Sequence, residues 1–508
     1  MPFSDISLSQ LMEYSFLLQV GDMITIEKHI SSTLSPLNDT SETLNTTSST
    51  GSITSTIIKK NYSDDDLSRL PKKIAKRMDN FKARSSQLDR EKLESAQDPF
   101  RGFFTLFWIA MGFYVIQTWS KNFESAGILF DLSFFRLLSQ DAIGLIISDA
   151  IMIGSMFFAV LLQKLIAMRW IRWRYTGMII QHLFQISFLF VPIYWTFVRN
   201  WPWVQSGFFV LHTISMLMKL HSYSFYNGEL SDWSLCLSDL NKEYSNLLGE
   251  SKKSDNATEK SAQLDELKEK ITQVKGYLAG PTKNVNYPDN ITFMNFMDFL
   301  LVPTLVYELE YPRTEKIRPW YVFEKIVATF GTFFLLYVNT ETYIIPILPN
   351  VSTSIYNSMI QMLFPFMVNY LLIFYIIFEC ICNVFAELTR FADRNFYDDW
   401  WNSTTWEEFA RKWNKPVHRF LLRHVYQYSI ESHKLSKRDA TFMTFFLSSL
   451  IHELVMVVVS KKIRMYLFFL QMFQLPLIAL SKLPIVKEKK WLGNAFFWFG
   501  LFLGPPML

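Results

Sequence analysis

Long apolar runs recur along most of this sequence of 508 residues, and they constrain the fold more than any other feature. A helix needs about 20 apolar residues to cross roughly 30 Å of hydrocarbon. The candidates are Phe103 to Trp119, Ala142 to Met168, Met178 to Val198, Trp203 to Leu220, Tyr321 to Ile344, Ile355 to Phe385, Ala440 to Val459 and Met465 to Leu480. A ninth begins near Asn494 and is still apolar at Leu508, so further residues are expected beyond it. Inside lipid every backbone amide must find its partner within the protein, and runs this long do so as helices. The expected fold class is therefore all-α: a polytopic integral membrane protein with about nine transmembrane helices. Hydrophobic residues make up 50% of the chain and charged residues 19%, which excludes a disordered or disulfide-rich secreted protein. Three cysteines, Cys236, Cys380 and Cys382, are too few for a four-ligand zinc site, and no metal or cofactor is expected. The net charge of +4 is too balanced for a nucleic-acid partner.

Charge is unevenly spread. Residues 31–56 form a Ser/Thr tract with little to bury, and residues 1–98 read as a polar, largely disordered cytosolic region. It ends in a basic juxtamembrane segment, where Arg69, Lys72, Lys73, Lys76, Arg77, Lys82, Arg84, Arg90 and Lys92 outnumber Asp79, Asp89 and Glu91. The positive-inside rule then puts the N-terminus in the cytosol. The first residues lack the basic start of a cleaved signal peptide. Alternating sides from there, Arg169, Arg172 and Arg174 are cytosolic, as are Lys482, Lys487, Lys489 and Lys490. Lys461, Lys462 and Arg464 break the rule and call for a tight lumenal hairpin. Residues 99–508 read as one membrane domain. Within it, residues 227–289 form a cytosolic helical insertion, where Leu264, Leu267, Ile271, Val274 and Leu278 make a short seam suited to a local helical hairpin. Ile291 to Tyr307 is interrupted by Asp298 and Pro303 and reads as re-entrant or interfacial.

Ionisable residues inside apolar runs are functional candidates by default, since a charge at mid-depth costs about 2.5–3.5 kcal/mol on insertion scales. They are Asp149, His182, His212, Glu379, His452 and Glu453. His452 stands out, about a dozen residues into its run, with Ser448, Ser449 and Met456 on broadly the same helical face. A neutral imidazole there can hold one ring nitrogen by a hydrogen bond and offer the other as a base. Two other readings stay open: a histidine hydrogen-bonded between helices, and the proton relay of a transporter or channel. Glu453 points about 100° away, which argues against a simple His/Glu pair. His182 and His212 have no accompanying cluster and read as structural.

The second feature is the block Phe391 to Tyr428, the heart of a cytosolic interfacial region at residues 389–438. Aromatic residues crowd between Phe396 and Trp406 with Asp398, Asp399 and Asn402 among them, and Arg411, Lys412, Lys415, Arg419 and Arg423 follow. Aromatics with a polar edge suit a membrane interface, and a basic cytosolic mouth suits a polyanionic ligand; a helix that merely anchors two spans is the alternative.

Phe396-Tyr397-Asp398-Asp399-Trp400-Trp401-Asn402 and the downstream His452 resemble the membrane-bound O-acyltransferase family. Met218-Lys219-Leu220-His221-Ser222-Tyr223, Pro303-Thr304-Leu305-Val306-Tyr307 and Tyr311-Pro312-Arg313-Thr314 resemble its sterol O-acyltransferase branch, and the polar front and insertion a fungal version. The resemblance covers roughly residues 100–508. It implies the membrane-bound O-acyltransferase fold in the endoplasmic reticulum membrane, homodimers or dimers of dimers, and transfer of a long-chain acyl group from acyl-CoA to a sterol 3-hydroxyl, making sterol esters for storage. A diacylglycerol acyltransferase is the alternative. By this resemblance His452 is the general base and Asn402 the second catalytic residue. Tyr397, Trp400, Trp401, Arg419 and Arg423 are expected on the acyl-CoA side, and Ser448, Ser449 and Met456 on the sterol side. No covalent intermediate is required, because a thioester is already activated.

Overall fold

A computed structural model of the chain describes residues 67–71, 73–74, 81–89, 101–127, 139–251, 257–350, 354–481 and 489–507. The Ser/Thr tract and Lys482 and Lys487 lie outside the described residues. Among the described residues, regular structure is helical, and extended pairing is limited to single bridges joining Arg84 with Asp393, Ala279 with Asn286 and Arg313 with Phe391. The order is α1 (Arg101–Ala126), α2 (Ala142–Ser155), α3 (Phe158–Ala167), α4 (Met178–Val198), α5 (Trp203–Ser251), α6 (Ala257–Leu278), α7 (Phe293–Leu301) and α8 (Pro319–Asn339). There follow α9 (Ile355–Phe374), α10 (Cys382–Leu388), α11 (Trp406–Trp413), α12 (Lys415–Leu421), α13 (Tyr428–His433), α14 (Lys437–Ser460), α15 (Tyr466–Ser481) and α16 (Lys490–Met507).

Among the described residues, five segments are long and apolar enough to cross a membrane: Ala142–Ala167, Trp173–Val198, Pro319–Pro349, Ile355–Leu388 and Lys437–Ser460. Tyr466–Ser481 is a shorter apolar helix. Their outer faces are apolar, as at Ile143, Ile147 and Ile151 on α2 and Ile179, Leu183 and Phe190 on α4, all more than half exposed. Such a surface is at home in hydrocarbon and not in water. Among the described residues these five segments are fewer than the nine apolar runs expected. The run at Trp203 to Leu220 does not end there but continues without a break as one helix through Ser251. Residues 227–251 are thus the far half of α5, and α6 packs along them. Leu267, Ile271, Val274 and Leu278 share one core with Leu230, Trp233 and Leu240.

Polar side chains inside the apolar helices meet each other across elements. His212 Nδ1 lies 2.6 Å from Asp149 Oδ1, joining α5 to α2. Asn339 Nδ2 donates to Asn369 Oδ1 at 2.7 Å, joining α8 to α9. Lys325 on α8 pairs with Glu379 at 3.3 Å in the π-helical turn Tyr375–Ile381 that links α9 to α10. Each exchange removes an otherwise unsatisfied group from lipid. The hairpin expected at Lys461 is tight: Lys461, with φ of 53°, stops α14, and Glu453 accepts from the N–H groups of Met465 (2.6 Å) and Phe468 (3.2 Å) at the start of α15. A carboxylate there satisfies orphan donors at a helix N-terminus.

Candidate active site

α14 begins at Ser436, whose hydroxyl accepts from Asp439 N at 3.2 Å, and carries His452 four turns later into the protein interior. His452 is only 1% exposed. Its Nδ1 lies 2.7 Å from Ser448 O. A carbonyl can only accept, so Nδ1 carries the hydrogen, and Nε2 is the ring nitrogen that can act as a base. Ile451, His452 and Val455 together form one wall of a cavity of about 210 Å³.

The other walls come from four places. α5 supplies Ser215, Met218 and Lys219; the segment after α7 supplies Pro303, Thr304 and Leu305; the π-helical turn and α10 supply Ile377, Phe378 and Cys382; and Asn414, Pro416 and Val417 come from the start of α12. Three features bind these walls together. Lys219, itself buried, donates to the carbonyls of Phe299 (2.9 Å), Leu300 (3.1 Å) and Val302 (2.7 Å), a cation on the negative end of α7. Ser222 accepts from Tyr307 N at 2.8 Å and meets His424 Nε2 at 2.8 Å, so one hydroxyl ties α5 to both the segment after α7 and the π-helical turn Leu422–Gln427. Asn414 caps α12 by accepting from Val417 N at 3.2 Å through Oδ1.

Asn402 is elsewhere. It is exposed, its Nδ2 contacts Asp399 Oδ2 at 3.4 Å, and it is not among the residues lining the His452 cavity. Tyr397 and Trp400 are buried in the aromatic core beneath the motif, with Trp400 packed edge-on to Trp413 at 4.5 Å and Tyr397 donating to Glu379 at 2.6 Å. Trp401 is 37% exposed, and its carbonyl accepts from Asn494 and Trp498 of α16. Close docking of α16 requires Gly500, where a Cβ would come within 2.5 Å of the Trp406 ring. Ser448 and Ser449 are buried on α14 beside His452 but do not line the cavity, and Met456 packs with Ile193 and Val210.

Lys412, Lys415, Arg419 and Arg423 of the basic block already pair with the protein's own carboxylates. Arg419 pairs with Asp393 (3.0 Å), Arg423 with Glu308 (2.6 Å), Lys415 with Asp398 (2.5 Å), and Lys412 with Asp399 (3.0 Å) and Glu408 (2.7 Å). Burial works against the Lys412 ammonium, yet its bonds to Glu408 and Asp399 hold it above the usual lysine range. These cations knit the block to the body, so an anionic substrate must compete with internal partners for them.

A family model described as MBOAT, membrane-bound O-acyltransferase family, matches residues 154–508. The chain belongs to the membrane-bound O-acyltransferase family. It is 38% identical over 84% of its length to a probable sterol O-acyltransferase 1 of Schizosaccharomyces pombe, covering 84% of that protein. It is 36% identical over 80% of its length to sterol O-acyltransferase 2 of Saccharomyces cerevisiae, covering 66% of that protein. A diacylglycerol O-acyltransferase 1 of Dictyostelium discoideum matches at 36% over 46% of this chain and 39% of its own.

In this O-acyltransferase the residues that join His452 at the cavity include three that the sequence reading did not assign: Lys219, Thr304 and Asn414. Lys219 and Thr304 lie in segments already singled out for their resemblance. Asn414 carries its own signal, an Asn one residue before a Lys-Pro pair, which is the pattern of a helix N-cap with proline in the first turn.

Proposed function

We propose that this protein is an acyl-CoA-dependent sterol O-acyltransferase that esterifies the 3-hydroxyl of a sterol with a long-chain fatty acyl group, yielding sterol esters for storage. One observation carries the reading: two segments resembling the sterol branch, Met218 to Tyr223 and Pro303 to Tyr307, both contribute wall residues to the cavity that holds His452. The relatives matched over most of the chain bear the same activity in their names.

The chemistry follows from the parts. His452 Nε2 takes the proton of the sterol hydroxyl as its oxygen attacks the thioester carbonyl, a contribution of about 10² to 10⁴ in rate for a positioned base. The Nδ1 bond to Ser448 O orients the ring. Asn414, which lines the same cavity as His452, is the amide assigned to the developing oxyanion. Collapse of the intermediate expels the CoA thiolate, which recovers the proton from the imidazolium. The apolar lining from Leu211, Ile214, Ile377 and Phe378 suits an acyl chain or a sterol body and excludes the water that would hydrolyse the thioester. Asn402 carries no step here; it braces the motif turn through Asp399.

About nine crossings, a cytosolic N-terminus, residence in the endoplasmic reticulum membrane and assembly as a dimer or dimer of dimers complete the proposal. Acceptor choice tests it. Purified protein supplied with oleoyl-CoA and an equimolar mixture of sterol and diacylglycerol is expected to form sterol ester; triacylglycerol as the main product reverses the assignment.

A further inference from the structure

Residues 81–89 precede the first membrane helix, yet they are docked on the body. Arg84 N donates to Ala392 O at 2.9 Å, and Arg394 N donates back to Arg84 O at 2.9 Å. Phe81 packs edge-on against Tyr311 at 5.3 Å and Phe391 at 5.9 Å. Asp89, 5% exposed, pairs with Arg318 at 3.1 Å. Between these anchors Ser86, 1% exposed, donates its hydroxyl to Glu379.

Glu379 has no exposed surface, and two further donors converge on it: Tyr397 Oη at 2.6 Å and Lys325 Nζ at 3.3 Å. A side chain from ahead of the membrane body thus completes the shell of a carboxylate within it. Glu379 does not line the His452 cavity, but the two residues before it, Ile377 and Phe378, do. All three belong to the π-helical turn Tyr375–Ile381, a departure from α-geometry of the kind that concentrates at functional sites. Whatever fixes Glu379 fixes the backbone from which those two cavity residues project.

Taking the His452 cavity as the site of acyl transfer, we propose that Ser86 is a positioning residue, whose hydroxyl holds Glu379 and through it the turn that presents Ile377 and Phe378 to the lipid substrates. The segment 81–89 is then part of the cavity's construction and sets how tightly those substrates are held.

The test uses the full-length protein in lipid nanodiscs, comparing wild type with Ser86→Ala, Ser86→Thr and Asp89→Asn. Hydrogen exchange is followed in peptides covering residues 375–381, alongside KM and kcat for sterol and oleoyl-CoA. Ser86→Ala is expected to speed exchange there and to raise KM for at least one lipid substrate by about tenfold, the worth of one hydrogen bond to a buried carboxylate, with kcat little changed. Ser86→Thr, which keeps the hydroxyl, restores both. Asp89→Asn loosens the same segment without touching Glu379 and moves both readouts in the same direction by a smaller factor. Unchanged exchange in both loosening variants overturns the proposal, as does faster exchange with unchanged KM. A parallel fall in abundance, kcat and melting temperature that threonine does not rescue also overturns it, leaving a folding role. His452→Ala separates the two readings: if it keeps full turnover, the catalytic assignment fails, while the exchange data still decide whether Ser86 holds the turn.

Discussion

Asn414 and His452 line the same cavity, although Asn414 stands at the N-cap of α12 and His452 deep within α14. The motif asparagine, Asn402, does not share it. Asn414→Ala is expected to lower kcat for sterol esterification by about 10² or more, the usual cost of removing an oxyanion donor. Some loss of stability from the cap, about 1 kcal/mol, accompanies it. Asn402→Ala is expected to stay within a few-fold of wild type. Steady-state rates of the two purified variants check this, and the opposite ranking restores Asn402 to the site.

Lys219 has three ammonium hydrogens and three carbonyl partners, at Phe299, Leu300 and Val302. Lys219→Met keeps the bulk and orphans all three acceptors, each costing about 1–3 kcal/mol when buried. The expected outcome is a large fall in melting temperature and in purified yield. A melting temperature equal to that of wild type contradicts the assignment of Lys219 as the cap of α7.

His424 gives a pH signature. Burial, with His221 and Arg423 nearby, holds its imidazole well below the usual histidine value. The unfolded chain binds this proton near pH 6.5, whereas the folded protein refuses it until much lower pH. Stability is therefore complete above about 6.5 and declines as pH falls below it, because the unfolded state then holds the extra proton. Melting temperature is expected to drop between about pH 7 and pH 5, with a shallower drop in His424→Asn. Equal slopes in the two proteins contradict it.

The long apolar helices were legible because an uninterrupted apolar run admits few other structures, and the interior position of His452 because it falls inside such a run. The continuity of α5 was not, since hydropathy falls away after Leu220 while the helix, meeting no proline, continues to Ser251. One face of its polar half, at Leu230, Trp233 and Leu240, packs against Leu267, Ile271 and Val274 of α6, further along the chain. The ion pairs of Arg419 and Arg423 were hidden for the same reason: a cluster of cations looks available until Asp393 and Glu308 are brought beside it. Residues 81–89 read as polar front because each of their anchors, Glu379, Ala392 and Arg318 among them, lies hundreds of positions away. Asn414 was one polar residue in a polar block, and only folding distinguished it from Asn402.

The account stands on His452 Nε2 as the base that accepts the sterol proton. The most direct measurement is single-turnover formation of sterol ester from radiolabelled oleoyl-CoA by purified wild-type and His452→Ala protein at matched melting temperature and matched sterol occupancy. Ester formation is expected to fall by about 10² to 10⁴ in the variant with acyl-CoA binding retained. A variant that esterifies sterol at the wild-type rate contradicts it.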